Sequence, residues 1–303
     1  MSTNPGQLVV AAAQYPLDAL PGFDAWTAKA ARWVADGAAT GARLLVFPEY
    51  GAVEIAAAVG GAAVCGDLKK TLAAVADHAE ATSAVWSRLS ALHHVFILAP
   101  SGPERRADGY VNAARLIGPN GGVGVQEKLI LTPFERDWGM RPGTGQRVFD
   151  TPIGCVGIAI CYDCEFPLLV RALSEAGAEI ILVPSCTEHL SGFLRVRMSA
   201  MARALESQIA TVMSPTIGDA LWSPAVDRNT GSAGIFVPPD IALTAGGVVR
   251  EGVLNRDGWI VGSIDLVGLS RLRDTGEMRN WRDWSRQQGA APLGRTVQLV
   301  SLT

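Results

Sequence analysis

The chain is poor in charge and in histidine. Asp, Glu, Lys and Arg make up 18% of its 303 residues, the formal net charge is -3, and there are four histidines. Nucleic acid or an anionic membrane surface calls for a basic face, and this balance supplies none, so neither partner is expected. No apolar run approaches the length that crosses a bilayer. The start, Met1-Ser-Thr-Asn-Pro-Gly-Gln7, shows neither the basic nor the apolar region of a secretory leader. Five cysteines, an odd number scattered between Cys65 and Cys186, make no disulfide framework. A reducing cytoplasm is the expected setting, and it would keep a reactive thiol usable.

What is present is an alternation of short apolar strands and helical patterns without a break in composition. Strands are predicted at 8–13, 43–47, 95–99, 110–117, 123–127, 156–160, 180–183, 209–213, 233–237, 247–254 and 259–265. Helices are predicted at 23–34, from Asp67 to Leu92 as one long amphipathic element, after Cys161, and at 191–206. Pro119-Asn-Gly-Gly122 reads as a hairpin turn. There are no repeats of fixed period and no linker. The expectation is a single α/β domain over 1–303 with its core at 8–265. The segment 266–303, with Trp281 and Trp284, is expected to pack or to serve as a dimer arm.

Three strand ends carry groups with chemistry. Val156-Gly-Ile-Ala-Ile160 leads into Cys161, followed by Tyr162-Asp-Cys-Glu-Phe-Pro167 and an apolar helical face of Leu168, Leu169, Ala172, Leu173 and Ala176. A cysteine at such an elbow stands on a rigid base with turn N–H groups nearby, as a thiolate nucleophile requires. Leu44-Leu-Val-Phe-Pro-Glu49 ends in a carboxylate, and Gln126-Glu-Lys128 ends in a lysine with Glu135 downstream. Taken singly, Glu49 reads as a first-turn carboxylate, Lys128 as a solvated lysine, and Glu135 as a surface partner of Arg136 or Arg141. Arg203 and Glu206 stand three apart on a helix and read as a structural ion pair.

Glutamate, lysine and cysteine in this order, with Phe47-Pro-Glu49, Glu127-Lys128, Ile160-Cys-Tyr-Asp163, Phe166-Pro167, Ile181-Leu-Val-Pro184, Arg203-Ala-Leu-Glu206 and Ser223-Pro-Ala-Val-Asp227, resemble the nitrilase superfamily of carbon–nitrogen hydrolases. The resemblance runs from Leu8 to about Asp265. It implies a four-layer α-β-β-α sandwich, assembled as a homodimer or higher homo-oligomer, with no cofactor and no metal. It implies that Cys161 attacks an amide carbonyl, that Glu49 takes the thiol proton and later activates water, and that Lys128 with the Tyr162 N–H holds the oxyanion. Glu135 is then the fourth member, orienting the lysine or the substrate. The expected substrate is a small linear amide or N-carbamoyl compound, with a nitrile as the alternative.

Two other readings start from the same residues. Cys161-Tyr-Asp-Cys164 could be a redox or zinc pair, or the chain a binding protein without turnover, but no second cysteine pair at metal spacing exists. A cysteine–histidine hydrolase would need one of His78, His93, His94 and His189 as base, and only His189 follows a strand in a loop. For the substrate pocket the expected lining is Tyr162, Glu165 and Ser185-Cys186-Thr187-Glu-His189, with Arg195 and Arg197 able to hold a carboxylate. Members of the superfamily acting on N-carbamoyl-D-amino acids carry arginines after the cysteine. Here Asp163, Cys164 and Glu165 stand there, which points to a neutral or cationic amide.

Overall fold

The computed structural model describes residues 6–290 and 296–303. The first five residues of the chain start considered above, and 291–295 of the C-terminal segment, lie outside them. Two sheets stack face to face. The first runs from Gly258–Asp265 through Gln7–Pro16, Leu44–Val46 and Phe96–Leu98 to Gly109–Ile117. Strand Gly102–Arg106 pairs further along that last strand, and Val123–Glu127 pairs with its other edge. The second sheet orders Val297–Ser301, Gln146–Thr151, Gly154–Ile158, Ile180–Ser185, Ala210–Asp219, Gly234–Phe236 and Val248–Glu251. The sheets join where Tyr15 and Pro16 pair in parallel with Thr216 and Ile217.

The layering follows from strand alternation. Side chains of a strand point to opposite faces in turn, so Leu8, Val10, Ala12, Leu44 and Val46 meet the second sheet's Val148, Val156 and Leu182. Their neighbours Ala11, Ala13, Leu45 and Phe47 face the other way, onto Trp26, Trp33, Val85 and Trp86 of helices Phe23–Ala39 and Ala79–His93. Helices Pro167–Glu175 and Leu190–Ser207 cover the far face of the second sheet through Val170, Leu173, Val196 and Ala200. This is the α-β-β-α sandwich that the motifs implied.

Several elements depart from the sequence reading. The long helix expected from Asp67 to Leu92 is two, Leu68–Asp77 and Ala79–His93. At His78 the backbone leaves helical values (φ -105°, ψ 6°), and its ring bonds back to the Ala74 carbonyl at 2.8 Å. Leu168, expected on the buried helix face, is exposed, because the buried stripe runs Leu169, Val170, Ala172, Leu173. The strands Gly102–Arg106, Gln146–Thr151 and Val297–Ser301 add to those expected, the last pairing in parallel with Gln146–Thr151. Trp281 and Trp284 are only half-buried, and on this chain itself: the Arg171 guanidinium lies 4.1 and 4.6 Å from their ring centres.

Candidate active site

Glu49, Lys128 and Cys161 each stand just beyond the C-terminal end of a strand, and Glu135 lies in the short helix Pro133–Asp137. Strand Leu44–Val46 is held on by Phe47 N–H donating to Leu98 O at 3.0 Å, and Pro48-Glu49 then leave the sheet. Tyr50 takes a left-handed φ of 55°, which turns the chain toward helix Glu54–Gly60. Lys128 follows strand Val123–Glu127. Its N–H donates to Asn112 O and its carbonyl accepts from Gly143 N–H, both at 2.8 Å, so the backbone is pinned on both sides. A Cβ on Gly143 would lie 2.5 Å from Glu127 Cβ, and only glycine fits that approach. Cys161 opens the 3-10 turn Cys161–Glu165 with φ 48°, a left-handed value that costs a non-glycine residue roughly 1–3 kcal/mol. The strained elbow was legible as strand, turn and helix start.

These segments bring four groups together in the interior. Lys128 Nζ lies 2.7 Å from Glu49 Oε1 and 2.7 Å from Glu135 Oε2. All three side chains are 1–2% exposed. The Cys161 thiol sits against Glu49 and donates weakly to Cys186 O at 3.9 Å. An ammonium has three donors. Among the described residues two of those of Lys128 are engaged, both by carboxylates.

Electrostatics assign protons. Burial alone would push Lys128 down, but Glu49 and Glu135 outweigh it and hold the ammonium well above the usual lysine range. Burial tends to raise Glu135, yet Lys128 and the Thr132 and Tyr50 donors bring its carboxyl below the usual range. Glu49 goes the other way, raised by burial and by the neighbouring Glu135 against the pull of Lys128. Burial, then Glu49, pushes the Cys161 thiol well up. The resting site therefore holds a protonated thiol beside a carboxylate with raised proton affinity.

The structure places Glu49, Lys128, Glu135 and Cys161 in one buried cluster. Glu135 pairs with Lys128 rather than with Arg136 or Arg141, because the capping box Thr132/Glu135 of helix Pro133–Asp137 turns it inward. Tyr162 is half-buried and packs edge-on against Phe166 at 4.9 Å. Glu165 is half-buried with Arg195 at 3.5 Å. Cys186 lends its carbonyl to the thiol, and its own Sγ donates to Asn229 Oδ1 at 3.3 Å.

The rest of the expected lining is corrected. Ser185 is buried, donating to Ser214 O at 3.4 Å, and Thr187 donates to Thr230 O at 2.7 Å. Both hydroxyls brace the loop on backbone carbonyls. The His189 ring is 67% exposed beside Glu188, because His189 is the N-cap residue of helix Leu190–Ser207 and points to solvent. Arg197 is held by Glu251, one of its two contacts at 2.9 Å, and is not free for a substrate carboxylate. Arg203 pairs with Glu206 at 2.7 Å as expected. Cys164 is fully buried, its thiol pushed to about 12 by desolvation. Among the described residues no three His, Cys, Asp or Glu converge as metal ligands.

Three residues escaped the sequence reading, and a fourth, Asp163, was named in it without the role that the structure gives it. Asn112 donates to Glu49 Oε1 at 2.9 Å and Glu135 Oε1 at 3.2 Å while its carbonyl fixes Lys128. Ser101 donates to Asn112 Oδ1 at 2.8 Å, which sets the amide's orientation. Tyr50 OH donates to Glu135 Oε1 at 2.8 Å. Asp163, two residues past Cys161, accepts from Ile130 N–H at 2.7 Å and Leu129 N–H at 3.2 Å, tying the elbow to the lysine segment. Burial pushes Asp163 up to about 7 against the opposing pull of Lys128 and these N–H groups. The available signal was a polar residue inside an apolar strand, Tyr110-Val-Asn112-Ala-Ala.

Comparison with known proteins supplies a family and a fold. A family model described as carbon-nitrogen hydrolase matches residues 9–251. The chain is 37% identical over 213 residues to the probable hydrolase YhcX of Bacillus subtilis, a match covering 70% of this chain and 42% of that protein. It is 25% identical over 202 residues to omega-amidase NIT2-B of Xenopus laevis, covering 62% of this chain and 68% of the relative. The chain thus matches less than half the length of the first relative. A carbon-nitrogen hydrolase from Helicobacter pylori G27 superposes with a TM-score of 0.73 at 18% identity, over 93% of this chain and 96% of that one. Nesterenkonia AN1 amidase, from the nitrilase superfamily, gives 0.68 at 21% identity, over 94% and 100%. These two likenesses speak for the fold, while the family model spans most of the chain. The chain belongs to the carbon-nitrogen hydrolase family.

Proposed function

We propose that the protein hydrolyses the carbon–nitrogen bond of a small linear amide or N-carbamoyl compound through a thioester on Cys161. The observation that carries this reading is a lysine bracketed at 2.7 Å by two buried carboxylates, with the thiol of a left-handed elbow in the same cluster. An amide carbonyl is a poor electrophile, so it needs a strong nucleophile, a base and a stabilised oxyanion. Cys161 Sγ attacks the carbonyl carbon as its proton passes to Glu49. The oxyanion accepts from the free donor of Lys128 and from the Tyr162 N–H. Collapse breaks the C–N bond, Glu49 returns its proton to the departing amine or ammonia, and the acyl group stays on sulfur. Glu49 then takes a proton from water, whose oxygen attacks the thioester; the C–S bond breaks, the acid leaves, and Glu49 returns the proton to the Cys161 sulfur. Glu135, fixed by Tyr50, Thr132 and Asn112, keeps Lys128 charged and in place. The omega-amidase name of one relative favours an amide over a nitrile.

The test is ammonia release over a panel of amides, carbamoyl amines and nitriles, with the Cys161→Ala protein as blank. Release from amides or carbamoyl compounds above that blank is expected. Release confined to nitriles, or equal in the blank, would contradict the reading.

A further inference from the structure

We propose that Asn112 is a positioning residue that fixes which carboxylate of the site takes the thiol proton, and at which atom: Glu49, through Oε2. This rests on the hydrolase reading above and adds to it the group that orients the base. The two carboxylates beside Lys128 are not equally occupied. Glu135 accepts at Oε1 from Tyr50 OH at 2.8 Å and from Asn112 Nδ2 at 3.2 Å. At Oε2 it accepts from Thr132 N–H at 2.8 Å and Thr132 Oγ1 at 3.0 Å, with Lys128 Nζ at 2.7 Å. Glu49 has its partners on one oxygen. Oε1 takes Lys128 Nζ at 2.7 Å and Asn112 Nδ2 at 2.9 Å, and among the described residues no N–H or O–H donates to Oε2. A carboxylate oxygen offers about two lone-pair sites. Glu135 is therefore full, and Glu49 Oε2 is the oxygen with room for a proton.

Asn112 is the neutral donor that both carboxylates share. Its amide nitrogen carries two hydrogens, one for each carboxylate. The amide is held from behind: Ser101 Oγ accepts from Tyr50 N–H at 3.2 Å and donates to Asn112 Oδ1 at 2.8 Å. A flipped amide would aim its carbonyl at two carboxylates and lose both bonds. Asn112 and Ser101 are fully buried, so bulk water does not stand in for either. A hydrogen bond donated to a carboxylate favours its charged form. Lys128 and the Cys161 thiol also favour the Glu49 anion, while burial and Glu135 disfavour it. Asp163, Tyr50 and Cys186 are the other ionisable groups that face it. With Asn112 gone, Glu135 keeps Lys128, Thr132 and Tyr50, but Glu49 keeps only Lys128 and the thiol. The loss falls on Glu49 and raises its affinity for a proton.

The test is Asn112→Ala, which keeps the backbone carbonyl that accepts Lys128 N–H. Alkylation of Cys161 by iodoacetamide, followed across pH by peptide mass spectrometry, needs no turnover. Its rise with pH should move upward by about one pH unit in Asn112→Ala, as the loss of one charge-assisted hydrogen bond implies. The acid limb of kcat/KM, for an amide that the wild type hydrolyses, should move with it. At neutral pH kcat should fall on the order of tenfold while KM stays within a few-fold. Ser101→Ala, which frees the amide to turn, should move both profiles the same way by less. A purely structural role would scale the rates at every pH and leave the limb in place. An unmoved alkylation limb in folded Asn112→Ala overturns the proposal. If circular dichroism shows that this variant does not fold, an unmoved limb in Ser101→Ala overturns it equally. A limb that moves in a protein releasing no ammonia from any amide supports the role of Asn112 and sinks the hydrolase reading, so the two failures are told apart.

Discussion

Two lysines in this molecule are buried between two carboxylates with a tyrosine hydroxyl attached, and they do different things. Lys29 Nζ lies 2.5 Å from Glu54 Oε1, 2.6 Å from Asp18 Oδ2 and 2.6 Å from Pro16 O, and Tyr15 OH donates to Glu54 Oε2 at 2.9 Å. Lys128 has Glu49 and Glu135, each at 2.7 Å, with Tyr50 OH on Glu135. All three donors of Lys29 are engaged, its charge also lies 4.3 Å from the Tyr15 ring centre, and Asp18 is half-exposed. Lys29 is a closed structural cluster, fastening the helix that follows Glu49 to the first sheet. Lys128 keeps one donor unengaged among the described residues and has a thiol alongside. Burial, charge and hydrogen bonding alone do not separate the two; the unengaged donor and the nucleophile do.

The comparison breaks most sharply at the thiol. Cys161→Ala should lower turnover by roughly 10⁴ or more, since it removes the nucleophile of a covalent mechanism. The melting temperature should hardly move, because the change deletes one small group and relieves no packing. Ammonia release together with calorimetry checks both. Cys164→Ala should keep most activity.

Next come the lysines themselves. Lys128→Met should remove turnover, and Lys128→Arg should restore little, because a planar guanidinium cannot occupy the point of an ammonium. Lys29→Met should instead lower stability by about 3–5 kcal/mol, the usual loss when one partner of a buried ion pair is removed. The folded fraction should still turn over substrate within a few-fold of wild type. Urea unfolding and single-concentration kinetics on both variants distinguish the clusters. Equal kinetic loss in both would erase the distinction.

The pH response sharpens it further. Glu49 must be unprotonated to accept the thiol proton, and burial, then Glu135, raises its affinity for protons. Activity should therefore fall on the acid side at a pH above the ordinary carboxylate range. Stability should not fall with it. A raised carboxyl such as Glu49 contributes stability below its unfolded value and loses it as pH rises through the folded one. A lowered carboxyl such as Glu135 contributes above its unfolded value and loses it as pH falls through the folded one. The two trends oppose each other across the acid limb. A kcat/KM profile overlaid on chemical denaturation at matched pH reads the result.

How much of this was legible in the sequence depends on where a residue's partners lie. Glu49, Lys128 and Cys161 each end a predicted strand, and it was the resemblance of the three strand ends taken together, in that order, that marked them. Asn112 and Ser101 act across strands distant in sequence, and Tyr50 through a left-handed turn, so nothing adjacent advertises them. The strand Gly102–Arg106 was missed because Glu104, Arg105 and Arg106 break the apolar pattern by which strands are recognised. Glu104 and Arg106 in fact pair with Arg115 and Glu127 across the sheet. His189 looked like pocket lining because it follows a strand, but the chain turns there to start a helix.

The smallest effect is expected at the tail. Arg171→Ala should cost about 1 kcal/mol through the lost stacking on Trp281 and Trp284, seen as a shift in tryptophan emission with turnover unchanged.

The most direct measurement is rapid quench of a turning-over amide followed by peptide mass spectrometry of the protein. The peptide holding Cys161 should gain the mass of the substrate's acyl group, the gain should disappear on longer incubation, and Cys164 and Cys186 should carry none. Turnover that proceeds with no adduct on Cys161, and undiminished in Cys161→Ala, would contradict the thioester mechanism.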